Sequence, residues 1–255
     1  MTAAIAGVLM IDRTQHRFVT LKCVHCGFLY DVPMSCGDRL CPICNRRRYG
    51  VLINRYEKFF AGLGPGACRF VTVTLKHNPD TDLGRQHWRL GKCVHKLIEY
   101  GKKHWGWVGG VVAYQATNKG NGWNDHCHFI VQGGNFVEQE VLSKVWLSIT
   151  GDSYVVGIRY VLNPLDDLAY LLGYTLSVDG VWAEFKEEYN KVFKGRRLLQ
   201  SWGTWFNRMA AKDDDVEQEF LCPNCGESVW VSDMQGYDFY LLGARPLFAP
   251  MGSSP

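Results

Sequence analysis

Two histidines alternate with apolar residues in the stretch Asn124–Val131. Their imidazole side chains are the first candidates for a chemical function. Successive residues of a β-strand point to opposite faces, so His126 and His128 are expected to project together, with Cys127 and Phe129 on the other face. Two imidazoles side by side on a strand can provide half of a metal site. The alternative is a pair of ordinary half-buried histidines, and this stretch alone does not decide between the two.

Two tyrosines four residues apart lie in a predicted helix that begins at Asn163-Pro164. Asparagine suits the N-cap, proline suits the first turn, and the two aspartates that follow suit the helix dipole. At about 100° per residue, one stripe is formed by Leu165, Leu168, Leu172 and Leu176. Tyr170 and Tyr174 share the nearly opposite face. They are therefore expected to face either another layer of protein or a substrate.

Cysteine pairs of the form Cys-x-x-Cys occur three times, and this spacing is typical of structural zinc sites. Seven cysteines lie in or beside these knuckles: Cys23, Cys26, Cys36, Cys41, Cys44, Cys222 and Cys225. Seven thiols exceed one four-ligand site and fall one short of two. Either His16 or His25 completes a second site, or one thiol stays free. Because a lone C-terminal knuckle cannot saturate zinc, the two chain ends are expected to share a site.

Positive charge is concentrated near the N-terminus. Residues 1–60 carry nine Lys/Arg against four Asp/Glu, whereas residues 179–255 carry eight against twelve. The N-terminal part is therefore expected to meet phosphates. Arg46, Arg47 and Arg48 follow the second knuckle at the predicted start of a helix, where they either hold a DNA backbone or form a solvated face.

In this order, the segments resemble the HUH endonucleases, a family that includes rolling-circle replication initiators of plasmids and phages and rolling-circle transposases. The family's strand of alternating apolar and threonine residues is matched by Phe70-Val71-Thr72-Val73-Thr74. Its second motif is matched by His126-Cys127-His128, and its tyrosine helix by the segment from Tyr170 to Ser177. The first two knuckles resemble the zinc region ahead of the nuclease domain in such proteins.

Three parts of the sequence differ from the family pattern, and one of them is Asn124-Asp125, which stands where the family often has an upstream histidine and proline. Gly173 and Ser177 stand where the family often has lysines, so support for the phosphate must come from elsewhere. Gln115, on the predicted strand before the histidines, stands where plasmid initiators often carry a glutamate as third metal ligand. A neutral amide makes the site less negative, which should weaken metal binding and favour a different ion. A surface glutamine that only makes hydrogen bonds is the alternative for Gln115.

The resemblance implies an enzyme that nicks and joins single-stranded DNA through a 5′-phosphotyrosine intermediate and initiates rolling-circle replication. Tyr170 and Tyr174 would be the nucleophiles, and magnesium or manganese would bind His126, His128 and Gln115. Structural zinc would occupy the cysteine sites, and origin or hairpin DNA and a host helicase or polymerase would be partners. Three alternatives stay open: a rolling-circle transposase, a non-enzymatic zinc-ribbon protein that binds nucleic acid, and a hydrolase in which water attacks.

The resemblance also implies an α+β fold, with a ferredoxin-like antiparallel sheet, flanking helices and a central histidine strand. We expect a Cys-rich zinc region over residues 1–62, a nuclease core over 63–178, and a helical extension over 179–255 whose knuckle packs on the first region. The 255-residue chain has no apolar run long enough to span a membrane and no basic leader before its short apolar start. A cytoplasmic protein with reduced, metal-binding cysteines is therefore expected.

Overall fold

A computed structural model describes residues 18–176, 180–206, 221–227 and 230–232 of the chain, which fall into two units. The smaller unit contains residues 18–38, 221–227 and 230–232, and the larger unit contains residues 39–176 and 180–206. The predicted limits at 62/63 and 178/179 stay a prediction, and the first helix belongs to the larger unit. His16 and Ser177 lie outside the described residues.

The smaller unit is built on a three-stranded antiparallel sheet in which both ends of the sequence take part. Strand β1 (Phe18–Cys23) lies between β2 (Leu29–Pro33) and β8 (Trp230–Ser232). In the register, Leu21 is opposite Tyr30 on one side and Ser232 on the other. The pairing of β1 with β8 joins segments about two hundred residues apart in the sequence.

The larger unit contains a five-stranded antiparallel sheet in the order β6-β3-β5-β4-β7. Its strands are β3 (Cys68–Thr74), β4 (Gly109–Thr117), β5 (Asn124–Gln132), β6 (Val156–Tyr160) and β7 (Leu199–Gly203). The histidine strand is β5, and it is the middle strand of the five. The predicted α+β class, with an antiparallel sheet and flanking helices, is confirmed.

Five α-helices and one short 3₁₀ helix (Ala183–Phe185) accompany the sheet in the described part of the chain. The helices are α1 (Pro42–Ala61), α2 (Leu83–His104), α3 (Gln139–Thr150), α4 (Pro164–Thr175) and α5 (Lys186–Phe193). The side chain of Asn163 accepts a hydrogen bond from the backbone N–H of Asp166, so α4 begins at the predicted cap.

The two faces of β5 are buried in different hydrophobic clusters, and this division decides where the histidines point. Cys127, Phe129 and Val131 pack with apolar residues of α2, α3 and α5. Ile130 packs on the opposite face with apolar residues of α1 and α4. Because side chains alternate along a strand, His126 and His128 lie on the face that carries α1 and α4.

One element differs from the sequence prediction. The sequence analysis expected a helical extension over residues 179–255, but Trp202 in that range belongs to β7, all five residues of which pair with β4. The strand pairs with Gly109–Ala113 of β4, and Trp205 just after it packs edge-to-face on Phe59 and Phe60. The pairing of β7 with β4 and the contact of Trp205 with Phe59 and Phe60 join distant parts of the sequence. Local helix and strand propensity therefore does not predict them.

Candidate active site and cysteine clusters

The strand register places Gln115 beside both histidines. His126 is opposite Gln115 of β4 and Thr74 of β3, and His128 is opposite Thr72 of β3. Directly opposite residues of antiparallel strands project from the same face. The five side chains therefore share the face of the sheet that carries α4.

Three atoms able to bind a cation converge at this point. The Oε1 atom of Gln115 lies 2.7 Å from Nε2 of His126 and 3.4 Å from Nε2 of His128. Gln115 and His128 are buried, and the two imidazole rings stand nearly perpendicular with their centroids 5.3 Å apart. An amide oxygen and two imidazole nitrogens form a donor set that fits a divalent metal ion.

The other nitrogen of each imidazole has a partner that orients the ring. Nδ1 of His126 lies 3.3 Å from the backbone oxygen of Asn124, and Nε2 lies 2.7 Å from Oε1 of Gln115; both oxygens only accept, so the neutral ring donates to one of them. With a cation bound at Nε2, the proton would lie on Nδ1 and be donated to Asn124. Nδ1 of His128 lies 3.0 Å from Oγ1 of Thr72, which can accept in the same way. The Nε2 lone pairs then lie on the side of Gln115. In histidine metal sites, a hydrogen-bond partner of the second ring nitrogen orients the ligand in this way. The sequence analysis assigned no such role to Thr72.

Burial keeps these imidazoles neutral at pH 7. Loss of solvent, together with the neighbouring His126, lowers the pKa of His128 to about 4. Loss of solvent also lowers the pKa of His126 below its ordinary value. Neutral imidazole is the form that binds a metal ion.

Acid is expected to destabilise the protein in the absence of added divalent metal. In the unfolded chain His128 titrates near pH 6.5, so between that pH and about 4 the unfolded state binds more protons than the native state. The free energy of unfolding should therefore fall as the pH decreases through this window, by up to about 3 kcal/mol. Urea denaturation at a series of pH values measures the loss.

The matched variants for this measurement are His128→Asn and His95→Asn, the second at an exposed position of α2. His128→Asn should make the stability curve flatter between pH 6.5 and 4, whereas His95→Asn should leave its slope unchanged. A full acid-induced loss in His128→Asn would contradict the assignment of the effect to this ring.

The two tyrosines of α4 lie beside the histidines. The Tyr174 hydroxyl donates a hydrogen bond of 2.7 Å to the Tyr170 hydroxyl, and the Tyr174 ring lies 4.6 Å from the His128 ring, centroid to centroid. Tyr170 is 48% exposed, and its ring centroid is 6.5 Å from that of His128. The structure thus brings the phenols and the imidazoles into one region of the surface.

Packing of the opposite side of α4 presents the phenols to this region. Leu168, Leu171 and Leu172 are buried against the sheet. Leu165, which the sequence analysis placed in the apolar stripe, is exposed, and Leu171 contributes to the core in its place. The tyrosine pair is therefore held on a helix that the core fixes from behind.

Arg159 is a charged residue of this region that the sequence analysis did not identify. It lies on the edge strand β6, opposite Phe70 of β3. Its guanidinium binds both carboxylate oxygens of Asp167, with 3.2 Å between Nη1 and Oδ2. Its Cζ atom lies 4.5 Å from the Phe70 ring centroid and 6.0 Å from that of Tyr170. The only local signal was a strand arginine close in sequence to an acidic first helical turn.

Four cysteines form a cluster within the smaller unit. The sulfurs of Cys23, Cys26, Cys222 and Cys225 all lie within 4.8 Å of one another. Sγ of Cys23 is 3.6 Å from that of Cys225, and Sγ of Cys26 is 3.6 Å from that of Cys222. Four thiols at these separations could hold a tetrahedral zinc ion. The structure thus brings the first and third knuckles together.

The two knuckles have the same backbone geometry. In each, the N–H of the glycine after the second cysteine donates to the carbonyl of the first, from Gly27 to Cys23 at 2.9 Å and from Gly226 to Cys222 at 2.8 Å. Both glycines have positive φ, +74° and +79°, which a residue with a Cβ rarely adopts. Hydrogen bonds from Asn224 and the Phe28 backbone lower the pKa of Cys26 to about 6, so it favours the thiolate that zinc requires.

The remaining predicted cysteine ligands fall in both units. Cys36 is exposed in the smaller unit, and Cys41 and Cys44 are buried at the start of α1 in the larger unit. Sγ of Cys41 accepts a hydrogen bond from the Cys44 backbone N–H at 3.4 Å. His25 is exposed and is not part of the cluster of four described above. Zinc at these three cysteines stays a prediction.

The predicted basic triplet lies in the first turns of α1. Arg46 is exposed, and Arg47 and Arg48 are partly exposed. Arg48 donates a hydrogen bond of 2.8 Å to the side-chain oxygen of Asn45, which is buried. These positions leave charge at the surface of α1, and their contact with DNA stays a prediction.

Comparison with known proteins gives a limited relationship. No protein-family model and no solved structure matches the chain. A protein of Lentilactobacillus hilgardii named "Protein rep" is 26% identical over 124 residues, which is 44% of this chain and 40% of that protein. The match therefore covers less than half of either protein, and it makes the chain similar to a Rep protein. Within the described residues, none of the helices has the length and apolar character needed to cross a membrane.

Proposed function

We propose that this protein is an HUH-type enzyme that nicks and rejoins single-stranded DNA through a 5′-phosphotyrosine intermediate, and thereby initiates rolling-circle replication. One observation carries the proposal: the hydrogen-bonded phenols of Tyr170 and Tyr174 lie beside the imidazole of His128, whose ring adjoins that of His126 on the same face of the sheet. The similarity to a protein named for replication supports the same conclusion.

Nε2 of His126, Nε2 of His128 and Oε1 of Gln115 would hold a divalent cation. Such a cation supplies positive charge that polarises the scissile phosphate. All three donors are uncharged, so binding should be weaker than at a site with a carboxylate. Because nitrogen ligands suit manganese better than magnesium, Mn²⁺ should support the reaction at lower concentration than Mg²⁺.

The protein's own residues account for the covalent step. A phenol oxygen of α4 attacks the phosphorus and loses its proton to water, while the bond from phosphorus to the 3′ oxygen breaks. The 3′ oxygen takes up a proton, so the products are a 5′-phosphotyrosine and a free 3′-hydroxyl. The phosphodiester energy is conserved in the new ester, and the reverse attack rejoins the strand without ATP. With two phenols one helical turn apart, one can hold a strand while the other acts.

The other predicted features would bind and prepare the DNA. The cysteine clusters would hold structural zinc, and Arg46, Arg47 and Arg48 would contact the backbone of origin or hairpin DNA. Unwinding and synthesis would require a host helicase and polymerase.

An adduct assay tests the proposal. The full-length protein is incubated with Mn²⁺ and random-sequence single-stranded oligonucleotides that carry a label at the 3′ or the 5′ end. Because the link forms at the 5′ phosphate, the 3′ label should remain on the protein after denaturation and the 5′ label should be released. His126→Ala and His128→Ala should reduce the adduct by on the order of 10²-fold or more, since each removes one of three donors. His95→Ala should not change it.

The alternatives give other results in this assay. Attack by water would give cleavage without an adduct, and a zinc-ribbon binding protein would give neither cleavage nor an adduct. A transposase would form the same adduct but would then transfer the linked strand to a second DNA molecule.

A further inference from the structure

We propose that Arg159 is the cation that holds the reacting phosphate beside the Tyr170 hydroxyl. The proposal rests on the function proposed above and deepens it, because it adds a substrate-binding residue to that site. It begins from an observed position: the Arg159 guanidinium carbon lies 6.0 Å from the Tyr170 ring centroid, and the Arg159 side chain is half exposed.

The position of Arg159 is fixed from two sides. Asp167, which is buried in the first turn of α4, binds both guanidinium nitrogens Nη1 and Nη2. The Phe70 ring lies against the guanidinium at 4.5 Å. A bidentate carboxylate pair sets the plane of the guanidinium as well as its position. The side chain is half exposed, so the fixed cation remains accessible to a ligand.

The guanidinium keeps donors for a phosphate. Its contacts to Asp167 and to the backbone oxygen of Tyr160 at 3.3 Å use three of its five N–H groups in the described structure. The remaining two are available to an oxyanion. The hydrogen bond with Tyr174 and partial burial raise the pKa of the Tyr170 phenol, whereas the positive charge of Arg159 acts in the opposite direction and lowers it.

Within the step described above, Arg159 stays protonated and transfers nothing. Its positive charge attracts the phosphate oxygens and brings the phosphorus within reach of the Tyr170 oxygen. It also stabilises negative charge that builds on those oxygens while the new bond to phosphorus forms and the bond to the 3′ oxygen breaks. Arg159 is thus assigned a direct contact with the substrate.

Gly173 makes a rescue experiment possible. It is exposed on α4 between the two tyrosines, and a Cβ at this position would meet no atom within 4 Å. A lysine can therefore be added without a clash, and its flexible stem can bring an ammonium group to the same phosphate. Gly173→Lys in an Arg159→Gln background should restore charge from a second element.

The first test measures the single-turnover rate of adduct formation with Mn²⁺. Arg159→Gln should slow it about 100-fold, as loss of one oxyanion donor does. Arg159→Lys, which keeps the charge but loses the bidentate geometry, should fall between this variant and wild type. Adding Gly173→Lys to Arg159→Gln should recover at least about tenfold. The control is Arg85→Gln, which removes an exposed arginine of α2 and should leave the rate unchanged.

The second test does not need the reaction. In the Tyr170→Phe, Tyr174→Phe protein without divalent metal, binding of the same oligonucleotides is measured across salt concentrations. Removal of one phosphate contact should lower the slope of log affinity against log salt by about 0.7. The assignment would be overturned if Arg159→Gln changed neither the salt slope of DNA binding nor the rate of adduct formation. It would also be overturned if Arg159→Gln were slow but neither Arg159→Lys nor the added Gly173→Lys restored the rate. If the wild-type protein binds DNA through Arg159 but forms no adduct, the proposed nicking activity is refuted, whereas the binding role of Arg159 is not.

Discussion

Replacement of both Tyr170 and Tyr174 by phenylalanine is expected to reduce the covalent DNA adduct by at least about three orders of magnitude. The phenol oxygens are the nucleophiles of the proposed reaction, and the substitution removes those two atoms. The phenylalanine rings preserve the contacts of α4 with His128 and Phe70. Labelled DNA that remains with the denatured protein measures the result, and DNA affinity should change little.

The single variants are expected to differ from each other. The two hydroxyls are 2.7 Å apart, so either oxygen can reach nearly the same phosphate, and neither single substitution should abolish the adduct. Tyr170→Phe should cause the larger loss, because Tyr170 is the more exposed phenol and has Arg159 beside it. Tyr160→Phe, at an exposed position of β6, is the control. An adduct that persists in the double variant would assign the chemistry to another nucleophile.

Loss of the cysteine cluster is the second large effect expected. The double variant Cys222→Ser, Cys225→Ser removes two of the four thiols that lie within 4.8 Å of one another. If these thiols hold zinc, the variant should lose one equivalent of zinc, which elemental analysis measures. Structural zinc contributes on the order of 10 kcal/mol to the domains that it holds. Amide protection in β1 should therefore fall to near that of an unfolded segment.

The control for this experiment is Cys93→Ser, at a buried cysteine of α2 outside the cluster. It changes the thiol count but should keep the zinc content and the protection of β1. A strong zinc chelator added to wild type should reproduce the double variant. Full zinc content in the double variant would show that these four cysteines are not the ligands.

The local parts of this site could be predicted from the sequence. Alternation along β5 placed His126 and His128 on one face, and the cap at Asn163 set the start of α4. Helical spacing placed Tyr170 and Tyr174 on one side. Each inference depended only on residues within a few positions of one another, where strand and helix geometry are regular.

The tertiary parts of the site were less accessible to sequence analysis. Arg159 lies at the site because β6 pairs with β3 from the far side and because Asp167 anchors the guanidinium. Strand β7 forms by pairing with the edge of β4, and the local sequence around Trp202 does not indicate that pairing. Both depend on strand order, which local periodicity does not determine.

The pairing of β1 with β8 has a consequence for the order of events during synthesis. The segment 39–206, with its own sheet and cores, is synthesised before residues 221–232, so its folding does not require the late part of the chain. The smaller unit can form only later, because its strand β8 and two of its four clustered thiols are translated late. Premature termination before residue 222 would therefore yield a protein with the tyrosines and histidines in place but without the four-cysteine cluster.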